Sequence, residues 1–145
     1  MNIKNYTSGV AADRSVSKIE AILADIGASN INKNYENRRL VGITFVMQVN
    51  DKSLLFRLPA KADAVVIALK KTYKRLSPAI IRGIEEQSEK TAWKICCDWV
   101  EIQATLIKLE QAEFIEVFLP YVYNIEKQQT FFETIKERSY KALLN

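Results

Sequence analysis

An α+β fold is predicted for this chain on three observations: a helical apolar face ahead of Gly27, two alternating apolar runs that share one hairpin register, and a long helical pattern beyond residue 80. Strands grouped ahead of most helices argue for helices packed on one face of an antiparallel sheet. The expected order is an N-terminal helix, a three-stranded antiparallel β-meander, then a predominantly helical C-terminal half packed on the sheet. Residues 1–145 read as a single domain, with 1–14 loosely ordered, 15–75 an α-β-β-β-α unit and 80–145 the helical part.

Val16, Ile19, Ile22, Leu23 and Ile26 recur at spacings of three and four, which draws one apolar stripe on a helix. Ser15 precedes the stripe, and Ser17 with Glu20 matches a capping box, so either serine can start it. Gly27 ends it, because glycine takes the left-handed terminal conformation without a Cβ clash. Ala28 to Tyr35 is polar and reads as a weak strand. Val41, Ile43, Phe45, Met47 and Val49 then alternate along one face, and Leu54, Phe56 and Leu58 do the same after Asn50-Asp51. A two-residue loop at Asn50-Asp51 sets Val49 opposite Lys52, and counting outward sets Met47 opposite Leu54, Phe45 opposite Phe56 and Ile43 opposite Leu58. Every apolar residue thereby meets an apolar partner on the same face, as a packed sheet requires. The opposite face pairs Val46 with Leu55 and Thr44 with Arg57, a mixed surface.

Pro59 closes the hairpin. Ala62, Val65, Val66, Leu69 and Tyr73 mark a second helix that fades at Ser77-Pro78. From Ile80 to Gln111 a long helix carries two apolar stripes. One holds Ala92, Ile95, Cys96, Trp99, Ile102, Leu106 and Leu109; the other holds Trp93, Cys97, Val100, Ala104 and Ile107. A helix apolar over more than half its circumference is sandwiched between layers or packs on a second subunit. Trp93, Cys97, Val100, Ala104 and Ile107 are therefore the candidate interface of a homo-oligomer, a dimer or larger. Phe114, Val117, Phe118 and Tyr121 suggest a short helical turn broken near Pro120. Thr130 with Glu133 fits a capping box for a last helix running to the C-terminus.

A chain of 145 residues, 48% hydrophobic and 26% charged, has the composition of a globular domain able to bury a core without staples. No apolar run reaches the roughly 20 residues of a membrane span. Met1-Asn2-Ile3-Lys4-Asn5-Tyr6 lacks the apolar core of an export signal, so a cytoplasmic protein without membrane attachment is expected. Cys96 and Cys97 are adjacent and cannot close a relaxed disulfide on a helix, which fits a reducing compartment. The chain contains no histidine. That excludes Ser-His-Asp and Cys-His catalysis, histidine-ligated zinc and imidazole acid-base chemistry together.

Charge is divided unevenly. Residues 1–82 carry a balance of +8 and residues 83–145 a balance of −4, giving the net +4. Between Lys52 and Arg82 stand eight basic residues and one acid, Asp63. Arg57, Lys61, Lys70, Lys71, Lys74 and Arg75 from this stretch are candidate contacts to a phosphate backbone, with affinity that falls as salt rises. Cations at a helix C-terminus are also favoured by the helix dipole without any ligand, and the patch can pair with the acidic half of the chain. Arg38 and Arg39, near Tyr35 and several asparagines, form a second surface able to contact bases or phosphates. They are equally ordinary loop and edge-strand residues.

Glu85 with Glu89, Asp98 with Glu101 and Glu113 with Glu116 sit at helical spacings that can hold a hard cation or serve acid-base chemistry. Lys90 and Lys94 lie within a turn, and salt-bridged surface faces account for these carboxylates. No catalytic residue, metal site or cofactor is assigned. Cys97 has no histidine to activate it, and both cysteines lie on apolar stripes as small core residues. Trp93 and Trp99 can stack on bases, but their spacing fits core aromatics.

Thr91-Ala92-Trp93-Lys94-Ile95, Asp98-Trp99-Val100-Glu101 with Gln103, and Phe118-Leu119-Pro120-Tyr121 resemble a group of small proteins from bacteriophages and mobile elements. Ser17-Lys18-Ile19-Glu20, Ile26-Gly27-Ala28 and Phe56-Arg57-Leu58-Pro59-Ala60 fit the same pattern, so the likeness spans roughly residues 15–145. The group brings no activity, cofactor or catalytic residue. The resemblance implies a setting: an accessory protein acting inside a bacterial host cell. By analogy, such a protein disables a host defence by binding.

Three readings follow. The first is a non-enzymatic inhibitor of a host protein or ribonucleoprotein, most concretely a nucleic-acid-guided nuclease, as an anti-CRISPR protein is. The second is an oligomeric sponge for an anionic nucleotide signal, with the cations lining a pocket at the subunit interface. The third is a single-strand nucleic-acid-binding accessory of phage replication or recombination.

Overall fold

The α+β architecture is realised in the order expected, as seen in a computed structural model that describes residues 3–145. Met1 and Asn2, the first two residues of the segment read for an export signal, lie outside the described residues. The described chain groups into two compact units: residues 3–23 with Ala60–Ala104, and Ala24–Pro59 with Thr105–Asn145.

The first unit is helical. Helix α1 (Ala12–Asp25) buries Val16, Ile19 and Leu23 completely, as the three-and-four spacing requires. It begins three residues ahead of Ser15, so neither expected serine is its cap, and Ser15 is itself buried. The stretch ahead of α1, expected to be loose, is tied to α3 (Pro78–Lys108). Asn5 donates to the Asp98 carboxylate at 2.9 Å, the Thr91 hydroxyl donates to the Asn5 carbonyl at 2.9 Å, and Gln87 donates to the Ser8 carbonyl at 2.9 Å. The polar partners lie about 80 to 90 residues downstream, and no local pattern in the N-terminal segment announces them.

Helix α2 (Ala62–Lys70) stops three residues short of Tyr73. The Thr72 amide and hydroxyl both reach the Leu69 carbonyl, at 3.0 and 2.7 Å, and close the last turn. The Ser77-Pro78 break is the start of α3. The Ser77 hydroxyl accepts from the Ile80 amide at 3.2 Å, and Pro78 holds the φ that a first helical residue needs. At its far end α3 closes with paired bonds from Gln111 to the Leu106 carbonyl and from Glu110 to the Ile107 carbonyl, around a left-handed Glu110 with φ 56°.

The second unit is built on the meander. Strands β1 (Ser29–Glu36), β2 (Arg39–Val49) and β3 (Lys52–Pro59) run antiparallel in that order. The β2–β3 register is the one expected, with Met47 opposite Leu54, Phe45 opposite Phe56 and Ile43 opposite Leu58. Both hairpin loops, Asn37-Arg38 and Asn50-Asp51, have positive φ at both residues, which matches the right-handed twist of the strands. The buried face gathers an aromatic cluster. Phe45 stacks on Phe56 at 5.4 Å; Phe114 and Phe118 of α4 (Phe114–Phe118) meet them edge-on at 5.1 Å (Phe114 on Phe56) and 6.1 Å (Phe118 on Phe45).

A 3₁₀ turn at Leu119–Tyr121 accommodates Pro120 and leads into two short strands, β4 (Tyr123–Asn124) and β5 (Gln129–Thr130). Val122 bridges Phe56, so this segment covers part of the outer edge of β3. Helix α5 (Phe131–Glu137) starts on the expected capping box of Thr130 and Glu133. It ends at Glu137 and does not reach the C-terminus, because Ser139 and Tyr140 both take left-handed φ.

Candidate nucleic-acid interface

The sequence placed eight cations at this interface, and the structure sorts them into three groups. Lys70, Lys71, Lys74 and Arg75 lie within six residues of chain at the end of α2 and in the irregular segment that follows. Lys70 is half-buried and the other three are exposed. Among the described residues none of the four has an acidic partner. Early termination of α2 exposes a second feature: Tyr73, expected on the apolar face of that helix, is 49% exposed. Leu76 and Ile67 are exposed beside it in the chain. The clue in the sequence was Thr72, a residue that readily bonds its own backbone and so ends helices.

Lys61 is exposed and occupies the N-cap position of α2, the opposite end of a nine-residue helix from Lys70. Nine residues of helix span about 13 Å, so Lys61 stands apart from the group. Its place at the positive end of the helix dipole is the unfavourable one for a cation.

The remaining three belong to the sheet unit. Arg38 is exposed in the β1–β2 loop at φ 65°, and Arg39 is the exposed first residue of β2. Arg57, expected as a phosphate contact, is committed within its own unit. Its Nη1 donates to the Tyr123 hydroxyl at 3.2 Å, and its guanidinium carbon lies 5.4 Å from the centre of that ring. The same side chain lies across Gly42, where a Cβ would come within 3.0 Å of Arg57 Nε. Arg57 is a built-in part of the sheet's outer face.

The expected subunit interface on α3 is also largely buried. Trp93, Cys97, Val100 and Ala104 are at most 3% exposed within the single chain, and Ile107 is half-buried. Those four side chains are covered by the chain's own core, and only Ile107 keeps part of its surface open. Ile102, from the other stripe, is a large apolar side chain of α3 that is exposed.

Asp98, Glu101, Glu113 and Glu116 are committed to partners within the chain. Asp98 accepts from Lys94 at 2.7 Å and from Asn5, and lies 3.5 Å from Lys4. Burial works to raise its pKa, but these hydrogen bonds and charges outweigh it and hold the carboxyl below its ordinary value. The hydrogen bond to Asp98 in turn raises Lys94, against the opposing effect of burial. Glu101 pairs with Lys18 at 3.0 Å, and Glu113 and Glu116 form the capping box of α4. Among the described residues no three histidine, cysteine or acidic side chains gather as metal ligands. Burial pushes the Cys96 thiol up to about 12, with the neighbouring Cys97 adding to the shift. Burial also raises Cys97, only partly opposed by Lys18 and Lys94. Both side chains are therefore thiols at neutral pH; Cys97 sits in the core as a small apolar group and Cys96 is half-buried beside it. No described helix is long and apolar enough to cross a membrane. No protein-family model, curated protein or solved structure matches the chain.

Proposed function

We propose that this is a non-enzymatic accessory protein that docks on a nucleic-acid-bearing machine of a bacterial host and inhibits it, the concrete case being a nucleic-acid-guided nuclease. The observation that carries the reading is the run Lys70, Lys71, Lys74 and Arg75, which lacks acidic partners among the described residues. A helix dipole accounts for Lys70 and Lys71 at the end of α2, but its reach fades within the last turn. Lys74 and Arg75 stand beyond it, and local charge compensation is absent there too. What suits such a run is an external anion, and a phosphate backbone presents anions in series. The likeness to bacteriophage and mobile-element proteins supplies the setting. Action by binding fits a chain with no histidine and with two un-ionised thiols.

The nucleotide-sponge alternative puts the cations in a pocket at a subunit interface made by Trp93, Cys97, Val100, Ala104 and Ile107. Burial of the first four inside one chain leaves that reading with less support.

The test adds the full chain to a guide-loaded nuclease and its target. Cleavage should fall with increasing wild-type protein and recover with the Lys71→Glu/Lys74→Glu/Arg75→Glu variant. Cleavage unaffected by the wild-type protein across guided nucleases of different types rejects the reading.

A further inference from the structure

We infer that the segment after α2 selects single-stranded nucleic acid, with Tyr73 as the stacking platform and Lys70, Lys71, Lys74 and Arg75 as the phosphate contacts. This rests on the phosphate-binding reading above and adds the substrate class. The Thr72 amide bonds to the Leu69 carbonyl at 3.0 Å and the Tyr73 amide to the Lys70 carbonyl at 3.3 Å. Such three-residue spacing is 3₁₀ geometry, in which side chains three apart eclipse, so Tyr73 follows Lys70 on the same side of the turn. Tyr73 is about half exposed, and its hydroxyl has no hydrogen-bond partner among the described residues. An aromatic residue left open between cations one and two residues away matches what a single strand offers: an unstacked base beside each phosphate. A duplex keeps its bases stacked and its grooves call for an inserted helix or ribbon. The segment from Thr72 to Ser77 is neither.

Exposed Ile67 and Leu76 among lysines also resemble the edge of a lipid-binding surface. The half-exposed tyrosine within the dense cation run favours the nucleic acid, and vesicles enter the test as a rival outcome.

Fluorescence anisotropy of the full chain with a labelled oligonucleotide, its duplex form and anionic phosphatidylserine vesicles decides the matter. The single strand should bind at least about ten-fold more tightly than the duplex, and Tyr73→Ala should remove about ten-fold from single-strand affinity only. Tyr73→Phe should restore it, since stacking needs the ring and not the hydroxyl. Tyr73→Ala should leave the salt slope intact, whereas Lys71→Gln and Lys74→Gln should each lower it by about 0.7. Equal binding of duplex and single strand, or an unchanged affinity in Tyr73→Ala, overturns this inference while leaving the phosphate-binding reading standing. Failure to bind either oligonucleotide, or a preference for vesicles over both, overturns the two together.

Discussion

Arg57 and Tyr123, 66 positions apart in the chain, are joined by a 3.2 Å hydrogen bond from guanidinium to phenol, with the guanidinium carbon 5.4 Å from the ring centre. The contact fastens the outer face of β3 to the strand that follows α4. Lysine keeps the charge but cannot reproduce the planar fork, so Arg57→Lys should cost about 1 kcal/mol in urea unfolding. Tyr123→Phe should cost a similar amount by removing the acceptor. The double variant should lose less than the two combined, by about 0.5 kcal/mol or more, as contacting residues do. Strict additivity would show that the contact carries no stability.

Gly42 lies beneath that guanidinium. A Cβ there would meet Arg57 Nε at 3.0 Å, Asn34 Oδ1 at 3.2 Å and the Leu58 carbonyl oxygen at 3.3 Å. The arginine can swing away, but the carbonyl belongs to a strand held in register with β2. Gly42→Ala should therefore cost about 1–3 kcal/mol, by the overpacking route. Gly83 in α3 has nothing within 4 Å of its would-be Cβ. Gly83→Ala should stabilise by about 1 kcal/mol, because alanine loses less backbone freedom in a helix. Opposite shifts in melting temperature check both halves.

The same residues show what the sequence could and could not disclose. The Phe45–Phe56 pairing was legible because strand periodicity and a two-residue loop fix register independently. The Thr130 cap was legible because its partner lies three residues away. Arg57 was legible as a cation but not as a committed one, since Tyr123 comes from a distant segment with no pattern linking them. Trp93 and Cys97 had the spacing of a buried stripe, but periodicity alone does not separate burial in one chain from burial between two. Tyr73 continued the helical spacing of α2, and only the capping by Thr72 exposes it. In each miss, a contact distant in sequence or a competing local hydrogen bond outweighed the repeat.

Asp98 gives the protein an acid-sensitive clamp on its N-terminal segment. Its folded pKa lies below the ordinary 3.8, so the unfolded chain takes up the proton first as pH falls. The clamp's contribution is complete above the ordinary value and is lost as pH drops through the lowered one. Lys94 mirrors this: raised above 10.5, it contributes fully below that value and loses the contribution as pH rises through the raised one. Asp98→Asn should flatten both limbs at once, since Lys94 loses the carboxylate that raises it. Urea midpoints measured from acid to alkaline pH should show the wild type and variant differing most near neutrality and converging at low pH. A variant curve parallel to the wild type at every pH would place the stabilisation elsewhere.

Arg38 and Glu110 occupy backbone positions that glycine fills at lower cost. Arg38 is the second residue of the β1–β2 loop at φ 65°, and Glu110 closes α3 at φ 56°. Left-handed backbone crowds a Cβ against the following carbonyl and costs roughly 1 kcal/mol in any residue but glycine. Asparagine followed by glycine is the favoured dipeptide for this type of hairpin turn, and glycine is the usual residue where a helix closes as α3 does. Arg38→Gly and Glu110→Gly should each stabilise by about 0.5–1 kcal/mol, less than the full steric cost because glycine loses more freedom on folding. Their gains should add, since the residues sit in separate turns. The pair also separates stability from binding at Arg38. Arg38→Gly with raised stability and weaker oligonucleotide affinity would mark a strained arginine kept for phosphate contact, whereas unchanged affinity would assign Arg38 to the turn alone.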